Sequence, residues 1–112
     1  MANRICFVEL PVGSAAATKS FYAGAFGFSM TDFGPTYSCT MTGDVDLGLQ
    51  ADAKEATLAP LPVIQVGSLE ATEALVKRAG GVITKATFSF PGGKRFHFRD
   101  PAGNELAAMQ VD

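Results

Sequence analysis

The chain has 112 residues, enough for one ordinary domain or two very small ones. With 47% apolar and 18% charged residues, it is composed like a folded globular protein and unlike a disordered one. A net charge of −2 and a pI near 5.3 argue against nucleic acid, which calls for a basic stripe. Lys94, Arg95 and Arg99 form the only local basic cluster, read as a solvated strand edge.

The two cysteines, Cys6 and Cys39, fall within strand-like stretches. They read as buried thiols, because no Cys/His spacing suggests zinc and nothing marks an oxidising compartment. The N-terminal stretch through Pro11 lacks the apolar core of a secretory leader. No apolar run approaches the roughly 18 residues that a membrane helix needs. The expectation is a cytoplasmic protein with no membrane partner.

Arg4 to Leu10 is rich in Ile, Val and Phe and reads as a strand ended by Pro11. Ser14 suits the N-cap of a helix from Ala15 to about Phe26. Ala17, Phe21, Ala25 and Phe26 lie at helical spacing and are expected to mark its buried face. Gly27 supplies a left-handed stop. Strands are expected at Phe28 to Asp32, Tyr37 to Met41 and Val45 to Gln50, with Gly34-Pro35 and Thr42-Gly43-Asp44 as turns. Residues 51–60 read as a polar, alanine-rich linker.

Leu61 to Val66 reads as a strand, and Ser68 caps a helix to Ala79. Glu70 in its first turn and Lys77 and Arg78 in its last suit the helix dipole. Gly80-Gly81 ends it. Val82 to Phe90, Lys94 to Arg99 and Glu105 to Gln110 read as strands. Between the last two, Asp100-Pro101-Ala102-Gly103-Asn104 has the residues of a tight turn.

The order βαβββ thus occurs twice, and the sequence repeats with it. Val12-Gly13-Ser14-Ala15-Ala16-Ala17-Thr18 returns as Val66-Gly67-Ser68-Leu69-Glu70-Ala71-Thr72, 54 positions on. At that offset Phe21 meets Leu75, Gly27 meets Gly81 and Phe28 meets Val82. Halves of this size are marginal alone, so one α+β domain of two repeats, about 3–50 and 61–111, is expected.

The helix ending Phe21-Tyr22-Ala23-Gly24-Ala25-Phe26-Gly27-Phe28, the Gly80-Gly81 stop and the Asp-Pro-Ala-Gly-Asn turn resemble the vicinal oxygen chelate superfamily over essentially the whole chain. This is the glyoxalase, bleomycin-resistance and extradiol-dioxygenase group. The resemblance implies a cupped, incomplete barrel of eight strands, a ligand site in its concavity, and pairing as a homodimer. It also implies a divalent metal held by four side chains, from the first and last strands of each repeat.

Carried over position by position, those four places hold Phe7, Leu61, Ala107 and Leu47. None has the oxygen, nitrogen or thiolate donor that a divalent cation requires. The expectation is therefore a protein without the usual metal, binding an apolar or aromatic small molecule. Phe7, Glu9, Tyr37, Leu47, Leu61, Gln65, Phe96 and Ala107 are the candidate ligand residues. Phe88, Phe90 and Phe98 are further aromatic candidates, and Gly48 and Ala107 should leave room.

The alternative is a metal-dependent lyase, isomerase or dioxygenase with a relocated site. Its candidates are Glu9, His97, the only histidine, and Glu105, as ligands or as an acid–base set. Glu9 stands amid Ile5, Phe7, Val8 and Leu10, where an unpaired carboxylate is costly to bury. His97 could equally face solvent, and Glu105 could simply hold its turn. A subunit or interaction module with no site is the third reading.

Overall fold

A computed structural model describes residues 3–112. Met1 and Ala2, part of the stretch read above for a leader, lie outside the described residues. The elements run β1 (Arg4–Pro11), α1 (Ala15–Phe26), β2 (Met30–Asp32), β3 (Tyr37–Thr40), β4 (Asp46–Gln50), β5 (Leu61–Gln65), α2 (Leu69–Arg78), β6 (Val82–Phe90), β7 (Gly93–Arg99) and β8 (Glu105–Val111). This is the βαβββ order expected, twice. The chain divides into two compact units, residues 7–61 and residues 62–112 with the first few residues of β1.

In the unit of residues 7–61 the strands lie in the order β2-β3-β4-β1. β4 runs antiparallel to β3 and parallel to β1, with Glu9 opposite Gly48 and Cys39 opposite Gly48. The Ser14 hydroxyl accepts the Ala17 N–H at 3.1 Å, and Gly27 ends α1 at φ 71. Lys19 crosses from α1 to Asp32 at 2.9 Å, and Ser38 bonds the same carboxylate. Those two partners, Ser38 first, hold the Asp32 carboxyl below its ordinary range.

In the unit of residues 62–112 the order is β5-β8-β7-β6. β5 runs parallel to β8, and β7 lies antiparallel between β8 and β6. Ser68 caps α2 through the Ala71 N–H. Its core joins Val66, Leu69, Phe96 and Ala108, with Ile64, Val76, Ile83 and Phe98 packed on it. The Asp100 turn closes as expected: the Asp100 carboxylate accepts the Asn104 N–H, and Gly103 takes φ 92.

The helix faces correct one expectation. Phe21 is 59% exposed and Phe26 64%, and Ala17 and Ala25 are exposed too. The inward positions of α1 are Ala15, Thr18, Lys19 and Tyr22, and those of α2 are Leu69, Thr72, Glu73 and Val76. Both sets follow i, i+3, i+4, i+7 and differ by the 54 positions of the repeat. The repeat therefore conserves an orientation that apolar periodicity in α1 hid, because α1 is apolar on several sides. A second correction concerns the basic cluster: β7 is flanked by strands on both sides, so Arg95 and its neighbours sit on an interior strand.

Candidate functional site

Strand alternation sorts each sheet into a face toward its helix and a face away from it. In the unit of residues 7–61, Phe7 and Glu9 share parity on β1 and point away from α1, with Gly48 and Tyr37 on the same side. A Cβ at Gly48 would meet the Phe7 ring at 2.5 Å and the Tyr37 hydroxyl at 2.6 Å. Instead of leaving room, the missing side chain of Gly48 is filled by these two rings. Tyr37 Oη donates to Glu9 Oε1 at 3.0 Å, and Glu9 is 2% exposed. The carboxylate is thus buried and bonded, which answers the cost of placing it among apolar neighbours.

Leu47, expected on this face, lies on the other one. It pairs with Val8 and lines a cleft of about 450 Å³ with Val8, Phe28 and Val45. The register explains the correction. Glu9 sits opposite Gly48, while its repeat mate Val63 sits opposite Ala107. The residue matching Ala107 is therefore Gly48, one position on from Leu47. At the end of the β3–β4 turn, Asp46 accepts bonds from Thr40, Thr42 and Gly43. Burial pushes its carboxyl up, but these bonds outweigh burial and hold it low. Burial, with Asp46 nearby, pushes the Cys39 thiol up, so it is a poor nucleophile.

In the unit of residues 62–112, His97, Glu105, Ala107 and Gln65 alternate away from α2. Phe96 alternates toward it and is fully buried against Val66, Leu69 and Ala108. Phe96 is therefore a core residue of the α2 layer, which corrects its place among the ligand candidates. Phe98 also faces α2, lining a cleft of about 280 Å³ with Val76 and Ala79. Leu61 and Ala107 are both fully buried.

His97 and Glu105 do come together. His97 Nδ1 lies 3.2 Å from Glu105 Oε2, and the Thr84 hydroxyl donates to the same oxygen at 3.1 Å. A carboxylate oxygen already accepting one bond takes the imidazole N–H as a second, so Nδ1 carries the proton and Nε2 the lone pair. Burial, with the nearby Arg95 and Lys85 charges, lowers the His97 pKa against the opposing pull of Glu105. The ring is therefore neutral near pH 7. Two features of this cluster had no signal in the sequence: Thr84 as the second donor, and the packing of Phe88 5.8 Å from the imidazole.

Two βαβββ units, each with a four-stranded sheet and one helix, define an α+β protein of the class expected from the repeat. The chain belongs to the Glyoxalase/Bleomycin resistance protein/Dioxygenase superfamily, whose profile matches residues 4–108. No curated protein matches the chain significantly. Among solved structures it resembles a member of the same superfamily from Vibrio splendidus, at 18% identity and TM-score 0.72, covering 99% of this chain and 100% of that one. It resembles an Mn(II)-bound glyoxalase from Novosphingobium aromaticivorans at 19% identity and TM-score 0.70, covering 97% of this chain and 40% of that one. A third is the Streptomyces coelicolor methylmalonyl-CoA epimerase in complex with 2-nitronate-propionyl-CoA, at 13% identity and TM-score 0.72, covering 96% of each. At these identities the likeness is one of fold.

The metal that the fold family implies does not fit the residues present. The four positions hold Phe7, Gly48, Leu61 and Ala107, which carry no donor atom in their side chains. At Gly48 the space for a longer side chain is already taken by Phe7 and Tyr37. Among the described residues, no three His, Cys, Asp or Glu side chains converge as a metal-binding group.

Proposed function

We propose that this chain binds a small apolar or aromatic molecule against the helix-free faces of its sheets, without the divalent metal of its family. One observation carries the reading: at the four positions carried over from the family, Phe7, Gly48, Leu61 and Ala107, the side chain is hydrocarbon or absent. The polar groups left on those faces, among them Glu9 with Tyr37 and His97 with Glu105, are few and set among apolar ones, as in small-molecule sites generally. The solved epimerase structure holds 2-nitronate-propionyl-CoA on the same fold.

We also propose that the protein works in the cytoplasm as a homodimer. Phe21, Phe26 and Phe28 present an exposed aromatic patch that a second copy would cover. Among the described residues, no helix is long and apolar enough to cross a membrane.

Thermal melting tests the central reading. After chelation, the protein is melted with Mn²⁺, Zn²⁺, Ni²⁺ or Fe²⁺, and separately with a panel of aromatic ligands. A ligand at a hundred times its Kd adds about 2.7 kcal/mol, a rise of roughly 10 °C for a domain of this size. The expected result is a rise with some aromatic ligands and none with the metals. A metal-selective rise lost in both Glu9→Gln and His97→Phe overturns it in favour of a relocated-metal lyase, isomerase or dioxygenase.

A further inference from the structure

We infer that the cleft on the helix-facing side of the residues 7–61 sheet is a second ligand site, and that it takes a small hydrophobic organic cation, an arylalkyl amine in its ammonium form. This goes beyond the reading above and does not rest on it. Val8 and Leu47, which line the cleft, alternate to the opposite face from Phe7, Glu9 and Gly48.

The first observation is the cleft itself. It encloses about 450 Å³, and its apolar walls are Val8, Phe28, Val45 and Leu47. Phe28 is 40% exposed and Val45 52%, so folding has left apolar surface open here. The aromatic wall is set before any ligand arrives. The Phe28 ring lies 6.1 Å from Tyr22, 12° from parallel, and 5.8 Å from Phe26. A wall already in place spares a ligand the entropy of ordering it.

The second observation is charge. Asp44 and Asp46 line the same cleft. Asp46 accepts from the Thr40 and Thr42 hydroxyls and from the Thr42 and Gly43 N–H groups. Burial works against its charge, but these bonds outweigh burial, so the carboxylate is ionised near pH 7. They also pin the turn that carries Asp44, whose own N–H donates to the Thr42 hydroxyl at 3.1 Å. Residues 7–61 hold six carboxylates and two lysines, a net charge of −4. Of the two lysines, Lys19 is already paired with Asp32 at 2.9 Å, and Lys54 stands in the loop that follows β4.

The chemistry of the ligand follows. An apolar cleft in a negative field selects by charge. An anion is repelled, and a neutral molecule gains from burial alone. An ammonium group gains from the field as well, and the face of Phe28 adds its own attraction for a cation. Because Asp46 is committed to its turn, it acts through its field, while Asp44, exposed on that turn, is placed to pair with the ammonium group.

The test titrates phenethylammonium and phenethyl alcohol, which differ at the one charged group, into the isotope-labelled full chain. Amide chemical shifts read both affinity and place. The expected result is shifts at Val8, Val45, Leu47 and the turn at 42–44, with the ammonium bound about fivefold or more tighter than the alcohol at low salt. That preference should shrink as salt rises. Asp44→Asn should cut it by about twofold or more, and Val45→Lys, at an exposed position, should abolish binding of the ammonium in the cleft. Equal affinities in the wild type overturn the charge assignment. Shifts confined to the helix-free face, or none with either probe, overturn the cleft as a site and leave the reading above to its own melting test. A preference unchanged in both folded variants overturns the role of Asp44 and of the cleft. The wild-type shifts decide the site even if a variant does not fold.

Discussion

Replacing Gly48 by alanine tests how tightly the helix-free face of residues 7–61 is packed. The new methyl would lie 2.5 and 2.6 Å from two Phe7 ring carbons and 2.6 Å from Tyr37 Oη. Comfortable carbon contacts are about 3.5–4 Å, so each partner must retreat by roughly 1 Å. Gly48 is buried on a strand paired on both sides, so its backbone has little freedom to yield. Overpacking of this kind costs about 1–3 kcal/mol. Moving Tyr37 Oη away from Glu9 costs about 1 kcal/mol more, and alanine's lower backbone entropy returns about 0.5–1 kcal/mol. The net loss is about 1–3 kcal/mol, a fall in Tm of roughly 4–12 °C. Differential scanning calorimetry of Gly48→Ala, Tyr37→Phe and the double variant measures it. Removing the hydroxyl relieves one of the clashes, so the Gly48→Ala penalty should shrink in the Tyr37→Phe background. An unchanged or higher Tm for Gly48→Ala, or the same penalty in both backgrounds, would refute the reasoning.

Gly93→Ala should be harsher, because its Cβ would strike the Gln110 backbone carbonyl, which cannot swing aside as a side chain can; a Tm within a degree or two of wild type would contradict this. His97 predicts the sign of a pH effect. Its folded pKa lies below the ordinary 6.5, so between the two values the unfolded chain binds more protons and stability rises with pH. The contribution is fully present above about 6.5 and is lost as pH falls through that value toward the folded pKa. Urea titrations across that range should show the slope in wild type and a flatter profile in His97→Phe. Asp32, Asp46 and Asp100, all held low, lose their contributions only as pH falls below about 3.8, a separate window. Phe21→Glu should shift sedimentation toward monomer with little loss of stability, since the side chain is exposed; unchanged association would remove this patch from the dimer proposal.

The element order, both helix caps, the Gly27 stop and the Asp100 turn were legible in the sequence because each rests on local chemistry. A serine hydroxyl meets an N–H three residues away, and a glycine takes a positive φ, whatever lies beyond. The 54-residue repeat was equally legible, and with it the family. The four metal positions could be read as apolar from sequence, but placing the one on β4 took the structure. Carrying the family positions along the sequence gave Leu47, and the pairing of Glu9 with Gly48 moved it by one residue, which on a strand means the opposite face.

What tertiary structure alone decided was which way side chains face and whom they meet. Phe96 and His97 are neighbours in sequence, yet one packs under α2 and the other joins Glu105, a choice made by where the helix lands. α1 is apolar on several sides, so only its docking on β3 and β4 left Phe21 and Phe26 outward. The contact of His97 with Glu105, shared by Thr84, joins side chains from three strands that only their pairing brings together. Local propensities fix elements because their energies act within a few residues. Long-range pairing fixes sites, and no single stretch of sequence contains it.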